Sequence, residues 1–151
     1  MRAVVQRVTR AVCRVDGETT GEIDAGLLVF LGVGQGDDAE DAAWLARKVA
    51  ALRVFEDEEG RMNKSLIDRG GGALVISQFT LFGNVKKGAR PSFNKSAPPD
   101  LATELFEQFK QLLSVELGES VASGVFAADM KIEAHNDGPV TLIIDTRQRD
   151  F

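Results

Sequence analysis

The 151-residue chain has a single cysteine, Cys13, and a single histidine, His135. An internal disulfide is therefore excluded, and a thiolate or imidazole cage for a metal cannot be assembled. Neither a metal nor a cofactor is expected, and Cys13 reads as a small core residue. No apolar run approaches the roughly 20 residues that a membrane helix requires. The start, Met1-Arg2-Ala3-Val4-Val5-Gln6-Arg7, enters an alternating strand pattern without an apolar leader, so a cytoplasmic protein with no membrane partner is expected. A basic excess is missing as well, and the net charge of −5 argues against indiscriminate nucleic-acid binding.

Acid, in turn, is missing from two stretches. Between Arg69 and Pro99 there is no Asp or Glu, while Arg69, Lys86, Lys87, Arg90 and Lys95 carry positive charge; Met1 to Val15 also lacks acid and holds Arg2, Arg7, Arg10 and Arg14. A confined basic patch on an acidic protein suits contact with a phosphate backbone, where each neutralised phosphate releases counterions. A solvated lysine-rich loop is the alternative.

What is present is ordinary for a globular protein: 44% hydrophobic and 27% charged residues. The length suits one domain, 1–151, that buries roughly two-thirds of its unfolded surface. Ala3 to Val15 alternates loosely, and Asp16-Gly17 offers a hairpin turn into a strand ending near Ile23. Leu27 to Val33 is a continuous apolar run, as in a strand buried on both faces. Asp37 or Asp38 can cap a helix over Asp38–Val54, with Ala42, Leu45, Val49 and Leu52 at helical spacing. Gly70-Gly71-Gly72 leads into a strand predicted over Ala73–Phe82. Pro98-Pro99-Asp100 opens a second helix with Leu101, Leu105, Phe109 and Leu112 on one face and Gly118 near its end. Two final strands, Ala128–His135 and Val140–Asp145, are expected around an Asn-Asp-Gly turn. The pattern predicts an α+β domain of mixed or antiparallel, barrel-like sheet with two amphipathic helices packed on it.

Three motifs tempt a chemical reading and fail. Gly32-Val33-Gly34-Gln35-Gly36 follows a strand and precedes a helix, but the third glycine of a dinucleotide fingerprint would fall on Asp37. Ser92-Phe93-Asn94-Lys95 fits a Ser-x-x-Lys pattern without its companions. A serine triad would have to recruit His135, which alternates with Lys131 and Glu133 on a polar face.

Two other stretches carry more. Ser77, Gln78 and Thr80 put two hydroxyls and an amide at the end of an apolar strand, where polar groups need partners or a ligand. Gly138-Pro139 stands where a strand resumes, and Pro has no N–H for the ladder. Arg7 lies on an apolar strand face with Ala3, Val5 and Ala11, and a guanidinium there needs several acceptors; a bulge that turns it to solvent is the alternative.

Over nearly the whole chain these residues resemble the D-aminoacyl-tRNA deacylase family. The landmarks are Met1-Arg2-Ala3-Val4-Val5-Gln6-Arg7-Val8, Met62-Asn63-Lys64-Ser65, Ser77-Gln78-Phe79-Thr80-Leu81 with Lys87-Gly88-Ala89-Arg90-Pro91-Ser92-Phe93, Gly124 to Met130, and Asn136 to Thr141. The chain departs from the family pattern at Asn84, where an acid is more usual, and at His135, where an apolar residue is. The resemblance implies a homodimer that hydrolyses the ester between a D-amino acid, or glycine, and the 3′-terminal adenosine of tRNA. It implies catalysis around Ser77, Gln78, Phe79 and Thr80, with main-chain N–H groups as oxyanion donors and the substrate's own ribose 2′-hydroxyl helping to activate water. Gly138-Pro139 would be a cis peptide entering the partner's pocket to exclude L-residues. Arg7 would fix its carbonyls, and Met130 and Asn136 would support the same wall. Lys86, Lys87, Arg90 and Lys95 are the candidates for the tRNA backbone. A non-catalytic RNA-binding module and a covalent hydrolase using Thr80 or Ser77 remain open alternatives.

Overall fold

The computed structural model describes residues 1–150; the last residue of the expected 1–151 unit lies outside them. Strand β1 (Arg2–Val15) is the spine. Along one edge it pairs antiparallel with β3 (Gly26–Gly32) through its first half and with β2 (Glu18–Ile23) through its second. Along the other edge it pairs antiparallel with β8 (Met130–Asp145) over its whole length. The sheet continues from β3 to β6 (Gly72–Ser77) and β7 (Ala122–Ser123), both parallel joins. Chain closure brings β2 back against β7. Gly21 is needed there, because a β-carbon on it would stand 2.6 Å from the Ser123 carbonyl oxygen. The result is a nearly closed, barrel-like sheet.

Helix α1 (Ala39–Ala50) and helix α3 (Pro99–Leu117) cover the outer face; between them lie the short β4 (Phe55–Glu56), β5 (Met62–Lys64) and the single-turn α2 (Leu66–Arg69). Alternation sorts the strand residues. Leu27, Val29 and Leu31 of β3 with Ala73 and Val75 of β6 face Leu45, Val49, Leu105 and Phe109 of the helices. Leu28, Leu74 and Ile76 point inward with Val8, Ala11, Cys13 and Ile23. Cys13 is fully buried in that inner cluster. β1 contributes to both because bulges around Val8 shift its register: Ala3 and Val5 face the helices, and Val8, Ala11 and Cys13 the interior.

The element bounds differ from the sequence expectation in three places. Helix α1 stops at Ala50 rather than Val54, because beyond Ala51 the N–H groups turn to nearer carbonyls, Leu52 to Val49 O at 3.3 Å and Val54 to Leu52 O at 3.1 Å, and the chain enters β4 with the Val54 carbonyl on the buried Arg7 guanidinium at 2.6 Å. Its start is capped by Asp38, which accepts from the Glu40 and Asp41 N–H groups. The strand predicted over 73–82 ends at Ser77, and Phe79–Phe82 form a 3-10 turn. The two final strands are one, β8, since residues before and after Gly138-Pro139 pair with the same β1 in one direction. The predicted turn is a bulge: β1 offers Arg7 alone where β8 has Asp137, Gly138, Pro139 and Val140. Pro139 cannot donate to a ladder, so the excess residues loop out of it.

Among the described residues no helix is long and apolar enough to cross a membrane.

Candidate active site

The 3-10 turn is where the central strand runs out. Gln78 donates its N–H to Leu31 O at 2.8 Å, extending the β3–β6 ladder by one bond, and the chain then winds through Phe79–Phe82. Leu81 N donates to Gln78 O at 3.2 Å, and Gly83 N to Thr80 O at 2.9 Å. The first N–H groups of such a turn have no partner inside it, and no side chain caps this one. Among the described residues the N–H groups of Phe79 and Thr80 are left unbonded.

The turn borders a cleft of about 580 Å³ lined by Ser77, Gln78 and Phe79 on one side and by Phe126, Asp129 and Met130 on the other, with Phe106 of α3 at its back. Phe79 is exposed and packs edge-on to Phe93, ring centres 5.1 Å apart. Ser96 Oγ donates to Phe79 O at 3.1 Å. Gln78 Nε2 donates to Thr80 Oγ1, so the hydroxyl oxygen that a covalent mechanism would need is already engaged by an amide. The carboxylate at the rim, Asp129, is tied to Lys131 at 2.8 Å.

Arg2, Asp145 and Ser96, which sequence reasoning did not place at the site, hold the turn from outside. Arg2 donates from Nη1 to Leu81 O at 2.7 Å and from Nε and Nη2 to Asp145 Oδ2 at 2.9 and 2.8 Å, and it lies over the Phe82 ring. Burial pushes the Asp145 carboxyl up, but the Arg147 N–H and the Arg2 guanidinium outweigh it and hold the group below the usual carboxylate range. The signal available in the sequence was Arg2 in an acid-free segment, but its partners Leu81 and Asp145 lie 79 and 143 residues away.

The other predicted residues lie apart from the cleft within one chain. Gly138-Pro139 is a cis peptide in the exposed bulge of β8, with Asn136 at the bulge's edge. Arg7 is buried, its Nη1 on Val54 O and its Nε 2.9 Å from Asp137 Oδ2. That N–H does not aim at the carboxylate, so the contact is an ion pair without a hydrogen bond. Within the chain Arg7 thus grips the residue before Gly138 and not the expected Gly138-Pro139 carbonyls, because the full negative charge of Asp137 is the better partner for a guanidinium. Lys86 and Lys95 line a second groove beside the turn, whereas Lys87 and Arg90 project from the tip of the hairpin that Asn84 and Ser92 close. Among the described residues no group of three His, Cys, Asp or Glu side chains is placed to hold a metal.

The cleft thus combines free main-chain donors with few side-chain acids and bases, an arrangement suited to charge that develops on a carbonyl oxygen. The D-Tyr-tRNA(Tyr) deacylase family model matches residues 4–145. D-aminoacyl-tRNA deacylase of Opitutus terrae is 55% identical over 150 residues, covering 99% of this chain and 100% of the relative. The enzyme of the same name from Fervidobacterium nodosum is 52% identical over 148 residues, covering 98% and 99%. The solved structure of the c-Myc DNA Unwinding Element Binding Protein superposes with a TM-score of 0.89 at 38% identity, covering 96% of this chain and 98% of the other. The chain belongs to the D-Tyr-tRNA(Tyr) deacylase family, whose members are hydrolases acting on aminoacyl-tRNA.

Proposed function

We propose that the chain hydrolyses the ester between a D-amino acid, or glycine mischarged on tRNA-Ala, and the 3′-terminal adenosine of tRNA, and that it spares L-aminoacyl-tRNA. The observation that carries this reading is the uncapped turn at the mouth of the cleft, with the Phe79 and Thr80 N–H groups free. Water adds to the ester carbonyl, helped by the substrate's 2′-hydroxyl; the oxyanion is met by these donors, and the C–O bond to the ribose breaks as that oxygen takes up a proton. Preorganised donors of this kind are worth about 2.7–4 kcal/mol each. That no histidine lines the cleft is no obstacle, because no side-chain base is asked for. Ser77 and Gln78 shape the entrance, and Met130 forms the far wall.

Selection against L-residues is assigned to Gly138-Pro139 of a second copy, with Asn136 and Arg7 steadying it. What supports this is the state of β8: its outer edge is unpaired, its bulge stands out from the surface, and Leu142 and Ile143 are exposed on it. A long exposed edge strand invites pairing with another chain, and a two-fold homodimer would create two equivalent pockets. Lys86, Lys87, Arg90 and Lys95 meet the tRNA backbone, and quality control of translation in the cytoplasm is the corresponding setting.

A deacylation time course with matched D-, L- and glycyl-tRNA tests the reading. Release of D-amino acid and glycine with the L-ester intact is expected; equal rates on D- and L-esters, or turnover of neither, would sink it. A trapped acyl-enzyme would move the chemistry to Thr80 or Ser77, and retention of aminoacyl-tRNA without turnover would make the chain a binding module.

A further inference from the structure

The groove at the far end of the 3-10 turn has no part in the chemistry above. It encloses about 460 Å³ and is lined by Arg2, Phe82, Asn84, Val85, Lys86 and Lys95, with Gly83 between. Three of its side chains are cationic and none is acidic. Among the described residues neither Lys86 nor Lys95 has an acid partner, while Arg2 spends three donor contacts on Asp145 and Leu81 O and keeps N–H groups to spare. Asn84 Oδ1 accepts from the Lys86 N–H at 2.9 Å. Its amide NH2 is therefore left as a further donor.

The frame that carries these groups is fixed on both sides. Asn84 and Ser92 exchange two main-chain bonds of 2.8 and 3.0 Å, and Gln35 binds Lys95 O through its N–H at 2.9 Å and Asn94 O through its side chain at 2.6 Å. Lysine stems that start from a rigid frame lose less freedom when they bind an anion. The groove is also placed at a meaningful distance. The cleft is bordered by Phe79 and the groove by Phe82, the two ends of one turn. The two openings are therefore neighbours on the surface, joined by a single four-residue turn, as the sites for consecutive groups of one nucleotide strand must be.

We propose that this groove seats the phosphodiester that joins the terminal adenosine of tRNA to the nucleotide before it, with Lys86, Lys95 and Arg2 as its cationic partners and the Asn84 amide as a neutral donor. The inference rests on the assignment of the adjoining cleft to the aminoacylated adenosine. It divides the basic cluster in two: Lys86 and Lys95 fix one phosphate beside the scissile bond, and Lys87 and Arg90 act at longer range. Holding that phosphate sets how far the terminal nucleotide can enter, which positions the ester against the donors of the turn.

The probes are the dinucleotide CpA and its methylphosphonate analogue, which keeps both bases and removes the charge of the linkage. Binding of each to the full chain is followed by amide shifts in NMR, for the wild type and for Lys86→Ala/Lys95→Ala, with a thermal melt to verify the fold. The wild type should bind the charged dinucleotide at least tenfold more tightly than the neutral one, and the double variant should bind the two alike. Equal wild-type affinity for both dinucleotides, or a double variant that keeps the preference, would overturn the proposal. If the charge preference follows the two lysines but no D-aminoacyl ester is cleaved, the phosphate seat stands and the catalytic reading of the cleft fails.

Discussion

The two polar motifs of this chain sit in opposite mechanical situations. Ser77-Gln78-Phe79-Thr80-Leu81 continues β6, a strand flanked on both sides by β3 and β7 and buried over Ala73–Ile76. Its turn is held by Leu31 O, Ser96 Oγ and Arg2. Asn136 to Thr141 lies in β8, paired on one side with β1 and open on the other. There a buried Arg7 and a half-exposed Asp137 are the internal restraint. On the proposed reading the first motif works through its own backbone, and such a motif needs its neighbouring atoms fixed by the same chain. One that works on a partner must instead be presented outward, and most of its surroundings come from elsewhere.

The sharpest way to break this contrast is to move the backbone of the first motif. Gln78→Pro removes the N–H that donates to Leu31 O, displaces the Phe79 and Thr80 donors that follow it, and should abolish turnover, a loss in kcat beyond the roughly 10² to 10³ of a single lost oxyanion donor. Thr80→Ala alters a side chain alone and should stay within about tenfold of the wild type, or about 1.4 kcal/mol. A single-turnover assay on D-aminoacyl-tRNA separates the two; comparable losses would mean that the hydroxyl, not the backbone, does the chemistry.

Arg7→Ala probes the second motif. It leaves the Val54 carbonyl without its partner in the protein interior, an effect of about 1–3 kcal/mol, and frees Asp137 and the bulge. A lower Tm is expected together with a fall of the D-over-L preference on the order of tenfold, measured as a ratio of kcat/KM values so that a mere loss of folded protein cancels. An unchanged ratio would leave Arg7 with a purely structural role.

The smallest effect sharpens the comparison through pH. Asp145 is held below its ordinary value, so the unfolded chain takes up its proton at a higher pH than the folded one. The stability it contributes is complete above the ordinary Asp value of about 3.9 and is lost as the pH falls through the lower folded value. The Tm of Asp145→Asn should lie below that of the wild type at neutral pH, and the gap should close below about pH 4. A gap that stays constant into acid would detach the Arg2–Asp145 pair from the stability of the turn.

Much of the architecture was legible because it depends on local pattern. The alternation in β3 and β6 and the Pro98-Pro99 start and Gly118 end of α3 were readable from period and capping chemistry, Gly118 adopting the left-handed conformation at φ 72°. What was not legible depends on distant partners. Nothing in the run Ser77 to Phe82 says that it leaves the sheet, since Phe, Thr and Leu suit a strand, and the turn is set by Arg2 and Ser96 arriving from elsewhere. Asn136-Asp137-Gly138 is composed like a hairpin turn, and whether it reverses the chain or bulges is decided by β1 continuing past it on both sides. Of the candidate site, Ser77, Gln78, Phe79 and Met130 come together around one cleft.

The bulge opposite Arg7 has a consequence for how the sequence can vary. Gln6 is in register with Thr141 and Val8 with Asn136, so the pairing is already discontinuous between those points and both flanks are locked independently. Residues can be added to or removed from the intervening segment without sliding either flank and so without turning a buried side chain outward. The length of the exposed tip is thereby limited by the Arg7–Asp137 pair and by what the tip meets, and not by the register of the sheet that carries it.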